Sequence, residues 1–187
     1  ELASFLFALK YPAPACQKQP LTIIAGRGFK SFYDRLQGVY GSWIVLPRDL
    51  FEIVELDTAK PDTASFSSFS LTSMPVVHRP ESLAFRVTDL QGKSVVYSGD
   101  TDMCDSLVDI ATDADVMICE SATPDGQKVD GHLTPSLAGK IARAAKVKRL
   151  VLTHFYPTCD TVDIEKQCRS TYNGPIVLAR DLMTVTL

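Results

Sequence analysis

From Leu2 to Leu9 the chain is apolar almost all round (LASFLFAL) and runs into Tyr11-Pro12-Ala13-Pro14, which predicts a buried helix stopped by prolines. Leu21 to Ala25 reads as a strand and Gly26-Arg27-Gly28 as a turn. Phe29 to Tyr40 reads as a helix with Phe29, Phe32, Tyr33 and Leu36 on one face. Gly26-x-Gly28 is followed by neither a third glycine nor Gly-Lys-Ser/Thr, so it is a turn and not a phosphate loop. Between Trp43 and Val87 the period shortens to that of strands: Phe51 to Leu56, Phe66 to Leu71, Met74 to His78 and Leu83 to Val87, an antiparallel meander. Beyond the Gln91-Gly92 turn, strands and helices alternate. Strands are predicted at Ser94 to Tyr97, Val116 to Cys119, Arg149 to Thr153 and Pro175 to Ala179, with helices at Asp102 to Ala111, Pro135 to Ala145 and Val162 to Tyr172. A meander feeding βαβα units implies an α/β (α+β) fold with a mixed sheet and helices on its outer faces. No repeat or Ser/Gly-rich linker divides it, so one domain over 1–187 is expected.

Composition narrows the class without naming a function. The 187 residues are 45% hydrophobic and 22% charged, which excludes disordered and coiled-coil classes, and a domain of this size can bury roughly 70% of its unfolded surface. A net charge of −3 supplies no basic field for gripping nucleic acid. No apolar run approaches the ~20 residues of a membrane span, and no basic-then-apolar leader heads the chain, so a cytoplasmic, non-membrane protein is expected. Five cysteines (Cys16, Cys104, Cys119, Cys159, Cys168) without a CxxC pair read as free thiols of a reducing compartment, Cys119 being buried and inert within Val116 to Cys119. The basic cluster Lys140, Arg143, Lys146, Lys148 and Arg149 complements a helix C-terminus and needs no ligand.

Chemistry collects at strand ends. Tyr97-Ser98-Gly99-Asp100 ends in an acid, Ile118-Cys119-Glu120 in an acid, Leu150-Val151-Leu152-Thr153-His154 in a histidine, and the meander strand ends at His78. Ligands of α/β sheets sit outside the carboxyl ends of strands, so these four side chains are expected to converge. Singly, each has an ordinary explanation as a turn, cap or rim residue; together they argue for a site. The third histidine, His132, lies in Gly131-His132-Leu133-Thr134-Pro135, where Thr134 suits an N-cap and Pro135 the first helical turn, placing His132 on a loop that can reach the same crevice.

In that order, Val95-Val96-Tyr97-Ser98-Gly99-Asp100-Thr101, Ile118 to Thr123, Gly131-His132-Leu133-Thr134 and Leu150 to Tyr156 resemble the metallo-β-lactamase superfamily, and most closely its ribonuclease Z-like branch. The resemblance runs to Val177 to Met183. It implies an αββα sandwich and a zinc-dependent hydrolase, phosphodiesterase or ribonuclease Z-like, in which two zincs share an attacking hydroxide. It further implies His78, Asp100 and His154 as metal ligands, with Asp100 bridging, and Glu120 and His132 as the acid/base pair beside them. Two cations ~3.5–4 Å apart want such a bridging carboxylate flanked by imidazoles, and manganese or iron could replace zinc. The expected partner is a small phosphodiester or an RNA end, and a second copy of the chain remains open.

The sequence departs from the family in two places. The signature His-x-His-x-Asp-His, expected just before a helix such as Leu2 to Leu9, is absent, and three ligands must then serve two metals that ask for about seven or eight contacts. The expectation is therefore a chain lacking its first strands, with an incomplete site, weak zinc binding and no activity alone. Between Phe85 and Ser94 there is a short turn and no basic arm of the kind that clamps tRNA. Alternatives are a thioester, lactone or other ester hydrolase, a phosphoaspartyl enzyme using Asp100, and a metal-free binding module.

Overall fold

The computed structural model describes residues 1–11 and 20–186; Cys16 and the helix-stopping prolines Pro12 and Pro14 lie outside them. The chain divides into two compact units, 1–57 and 58–187.

The first unit contains α1 (Leu2–Lys10), β1 (Leu21–Gly26), α2 (Phe29–Tyr40) and β2 (Phe51–Leu56). β1 and β2 pair in parallel as a separate two-stranded sheet, so Phe51 to Leu56 does not join the meander expected from its sequence. The physical reason is the intervening α2: a helical crossover favours a parallel return. A small core of Leu6, Tyr33, Ile44 and Leu46 holds the unit. The α1 pattern, apolar all round, does not give a helix buried all round, because Phe5 stays 50% and Phe7 43% exposed while Leu6 is fully covered. Gly28 (φ 100°) begins α2, and the Glu55 carboxylate accepts from the Gly28 and Lys30 amides at 2.8 Å each. A side chain of the chain itself thus occupies that helix start, consistent with a turn and not an anion loop.

The second unit holds a seven-stranded sheet in the order β3 (Asp62–Ser65), β4 (Phe69–Pro75), β5 (Leu83–Asp89), β6 (Ser94–Tyr97), β7 (Val116–Glu120), β8 (Leu150–Thr153) and β9 (Ile176–Leu178). β3 to β6 are antiparallel and β6 to β9 parallel. The two predicted strands Phe66 to Leu71 and Met74 to His78 are one strand, β4, which stops at Pro75 where the ladder loses a donor. Three helices follow the parallel strands: α3 (Asp105–Ala111), α4 (Pro135–Ala144) and α5 (Ile164–Arg169). Met117, Leu133, Ile141, Leu150 and Leu152 are fully buried in the core between them. α5 is shorter than predicted at both ends: Asp163 caps its start by accepting from the Lys166 amide, and the helix stops at Arg169.

This topology brings several strand ends to one edge. β4 and β6 both run antiparallel to β5, so they point the same way, and β7 and β8 run parallel to β6. The carboxyl ends of β4, β6, β7 and β8 therefore open on one edge of the sheet, where Glu120 closes β7 and His78, Asp100 and His154 follow β4, β6 and β8.

Candidate metal centre

His78, Asp100 and His132 each offer one ligand atom, and those atoms all lie within 4.8 Å of one another. His154 Nε2 stands 3.6 Å from Asp100 Oδ1, and its ring stacks at 5.5 Å on that of His132. The structure thus brings all three histidines around Asp100. It also groups His132 with the candidate ligands, where the sequence assigned it to proton transfer. Asp100 and His154 keep about a third of their side-chain surface exposed (38% and 35%), so the cluster is reachable from solvent.

Local backbone geometry aims these side chains. Gly99 (φ 60°) turns the chain after β6, where a Cβ would stand 3.1 Å from the Leu83 carbonyl. His154 itself has φ 63°, a left-handed conformation that costs about 1 kcal/mol or more in a non-glycine residue and survives where its surroundings fix it. Its Nε2 is buried with no hydrogen-bond partner. An orphaned imidazole nitrogen beside a carboxylate is costly in an apolar interior but suits a ligand, so the donor set fits a divalent cation.

Glu120 is 2% exposed and fully committed. Its Oε1 accepts from the Thr101 amide (2.8 Å) and from His132 Nδ1 (3.0 Å), and its Oε2 from the Leu133 amide (3.0 Å). Because a carboxylate accepts, His132 carries its proton on Nδ1 in this contact, leaving Nε2 free. Glu120 is therefore held inside the protein as an orienting group for His132. Thr134 begins α4 but its side chain makes no capping bond; the Asp125 carboxylate accepts from the Ser136 amide at 3.1 Å instead.

Several neighbours escaped the sequence reading. Asp102 Oδ2 accepts from Lys128 Nζ at 2.6 Å and from the Gly131 amide at 3.0 Å, and Oδ1 from the Met103 amide at 2.7 Å. Burial raises this carboxyl's pKa, but Lys128 and the two amides outweigh it and hold the group below the usual range. Asp102 also starts no helix; α3 waits until Asp105. The Tyr156 ring lies 5.5 Å from that of His154 and 5.9 Å from that of His132. Burial first, then the charges of Asp100 and Glu120, push the Tyr97 phenol up. Only the sequence neighbourhoods, Asp100-Thr101-Asp102 and Thr153-His154-Phe155-Tyr156, could have flagged these residues.

The second unit thus carries its carboxylates and imidazoles at one edge of a seven-stranded mixed sheet, and its similarity to solved metallo-β-lactamase-fold proteins makes the fold of that class. Residues 25–155 match the Beta-lactamase superfamily domain, and the chain belongs to that family. Its curated relatives include ribonuclease Z proteins: one of Myxococcus xanthus is 41% identical over 103 residues, 51% of this chain and 33% of the relative. An uncharacterized protein of Mycobacterium tuberculosis (Rv1339) is 36% identical over 141 residues, 73% of this chain and 50% of that protein. The chain spans about half the length of such curated relatives. Among solved structures, the fold is similar to that of YhfI from Bacillus subtilis (TM-score 0.74, 21% identity, 96% of this chain and 68% of that one). It is also similar to the short form of human tRNase Z (TM-score 0.71, 22% identity, 99% and 73%).

Proposed function

We propose that the protein is a zinc-dependent hydrolase of phosphodiesters, acting on a small phosphodiester or an RNA end. The observation that carries the reading is the gathering of three imidazoles around Asp100 beside the buried Glu120–His132 pair. His78, Asp100 and His154 would hold the cation, with manganese or iron as alternatives to zinc. When bound, such a cation supplies Lewis-acid polarisation of a phosphoryl oxygen and a nucleophile at neutral pH. These donors are enough for one cation; a two-cation centre asks for more than the three imidazoles and Asp100 of this chain.

Within the chain, Glu120 holds the His132 proton on Nδ1 and stabilises the imidazolium that forms when Nε2 takes a second proton. His132 can then deliver that proton to a leaving oxygen. The half-exposed Tyr156 ring borders both imidazoles and can pack against the substrate. β5 and β6 are joined by a tight turn, with the Gly92 amide donating to Asp89, so no arm for tRNA rises there and a smaller substrate is favoured. The phosphoaspartyl alternative leaves three histidines around Asp100 without a role. Four described cysteines are free thiols, which supports a reducing, cytoplasmic setting.

One observation favours a second role for His132, as a ligand: it belongs to the 4.8 Å group. Two substitutions separate the roles. In the metal-loaded protein, His132→Ala should lower kcat on a chromogenic phosphodiester by roughly 10²–10⁴ and leave zinc content unchanged, whereas Asp100→Ala should strip the metal. Zinc lost in His132→Ala and kept in Asp100→Ala would reverse the assignment, and turnover of a thioester without turnover of a phosphodiester would give the ester-hydrolase reading.

A further inference from the structure

Asp102 joins the two segments that meet at His78. Its amide donates to the carbonyl of Val77, the residue before His78, at 2.7 Å. Its Oδ2 accepts from the Gly131 amide at 3.0 Å, and the Gly131 carbonyl in turn accepts from His78 Nδ1 at 3.1 Å. Lys128 Nζ closes the same loop, donating to Asp102 Oδ2 and to the Val129 carbonyl at 2.9 Å.

We propose that Asp102 is a positioning residue that locks His78 in the Nδ1–H tautomer, leaving Nε2 as a bare lone pair for the cation. The inference rests on the metal-site reading above. A carbonyl oxygen can only accept, so a neutral imidazole bonded to it must carry its single proton on Nδ1. Outer hydrogen bonds of this kind set the ring orientation and tautomer of metal-binding histidines. The carbonyl reaches Nδ1 only because position 131 is glycine: φ is 83°, and a Cβ there would stand 3.0 Å from Nδ1. A glycine peptide has the widest conformational choice of any residue, so something must hold this one in place. Asp102 does so, gripping the amide of the same residue whose carbonyl meets His78. Thr101 assists from the other side: its Oγ1 accepts from the Val77 amide at 3.2 Å, and its own amide is fixed by Glu120. One short segment, 101–102, therefore ties the His78 loop to the acid/base pair and to the Gly131 loop.

The test uses the full chain without metal, labelled with ¹⁵N at histidine, and long-range ¹H–¹⁵N spectra that distinguish protonated from bare ring nitrogens. In the parent, His78 should be a single tautomer with a protonated Nδ1 and a bare Nε2. Asp102→Ala should release the Gly131 loop and give a mixture of tautomers. Asp102→Asn, which keeps an acceptor for the Gly131 amide, should restore the single form. Zinc titration of the same samples should show a Kd raised roughly 10- to 100-fold for the alanine variant and only a few-fold for asparagine. A proton on Nε2 of His78 in the parent, or an unchanged tautomer in Asp102→Ala, would overturn the proposal. Should Asp102→Ala fail to fold, Asp102→Ser, too short to reach the Gly131 amide, takes its place with the same expectations; loss of the fold in both assigns Asp102 to stability and overturns the positioning role. If the parent binds no zinc, the metal-site reading fails, while the tautomer spectra still decide what Asp102 does to His78.

Discussion

Replacing Glu120 by glutamine changes one oxygen to an amide nitrogen and removes one charge at a position that is 2% exposed. Three donors depend on that carboxylate: the Thr101 amide, His132 Nδ1 and the Leu133 amide. A glutamine oxygen placed at Oε1 still serves the first two, but its NH₂ then faces the Leu133 N–H, donor against donor. One buried unsatisfied donor costs about 1–3 kcal/mol, and turning two charge-assisted bonds into neutral ones costs about 1 kcal/mol each. Relief from burying a carboxylate offsets part of this, leaving a net loss of about 2–4 kcal/mol. In a protein of this size each kcal/mol moves the melting temperature by roughly 2–4 °C, so Glu120→Gln should melt about 4–16 °C lower. Glu120→Ala, which strands all three donors, should fall further. Thermal unfolding followed by circular dichroism at pH 7 measures both. A glutamine variant within 1 °C of the parent would show that the three donors do not rely on the carboxylate and would refute Glu120 as the fixed support of His132.

Two other predictions concern groups away from the crevice. Asp115 accepts from Lys148 Nζ and the Ser94 amide, which hold its pKa at about 2 against an ordinary 3.8. A depressed carboxyl stabilises the fold above its unfolded pKa and loses that contribution as pH falls towards about 2, so Asp115→Asn should lower the melting temperature near pH 6 by roughly 2–4 °C, with the gap closing below about pH 2.5; a gap independent of pH would contradict the ionic origin. Burial pushes the Cys119 thiol well up and the Cys168 thiol up to about 12, so neither should react with a thiol reagent at pH 8 until the protein unfolds, as peptide mapping of labelled protein would show.

Much of the site was legible because strand ends are punctuated by the residues that matter. An apolar run closing on Asp100, Glu120 or His154 carries both the fold and the chemistry, and parallel packing brings those ends to one edge whatever the loops do. What stayed hidden depends on contacts between distant segments. Nothing in Asp102 itself signals a bond to Gly131, 29 residues on, and nothing in the Phe51 to Leu56 pattern says that it will pair in parallel with β1 instead of joining the meander. The α1 pattern misleads for a related reason: an apolar residue is a candidate for burial, but whether a surface arrives to cover Phe5 or Phe7 is decided elsewhere in the chain. Thr134 likewise has the chemistry of a cap, yet Asp125, nine residues before it, supplies the bond.

The central claim is that His78, Asp100 and His154 hold a divalent cation, and diffraction from zinc-soaked crystals at the zinc absorption edge tests it most directly. The account predicts an anomalous peak at that site, about 2 Å from Asp100 and from imidazole nitrogens of both His78 and His154, with Glu120 still bonded to His132 Nδ1 and making no contact with the ion. No peak at that site at saturating zinc, or a peak held by Glu120 or by cysteine sulfur instead, would contradict it.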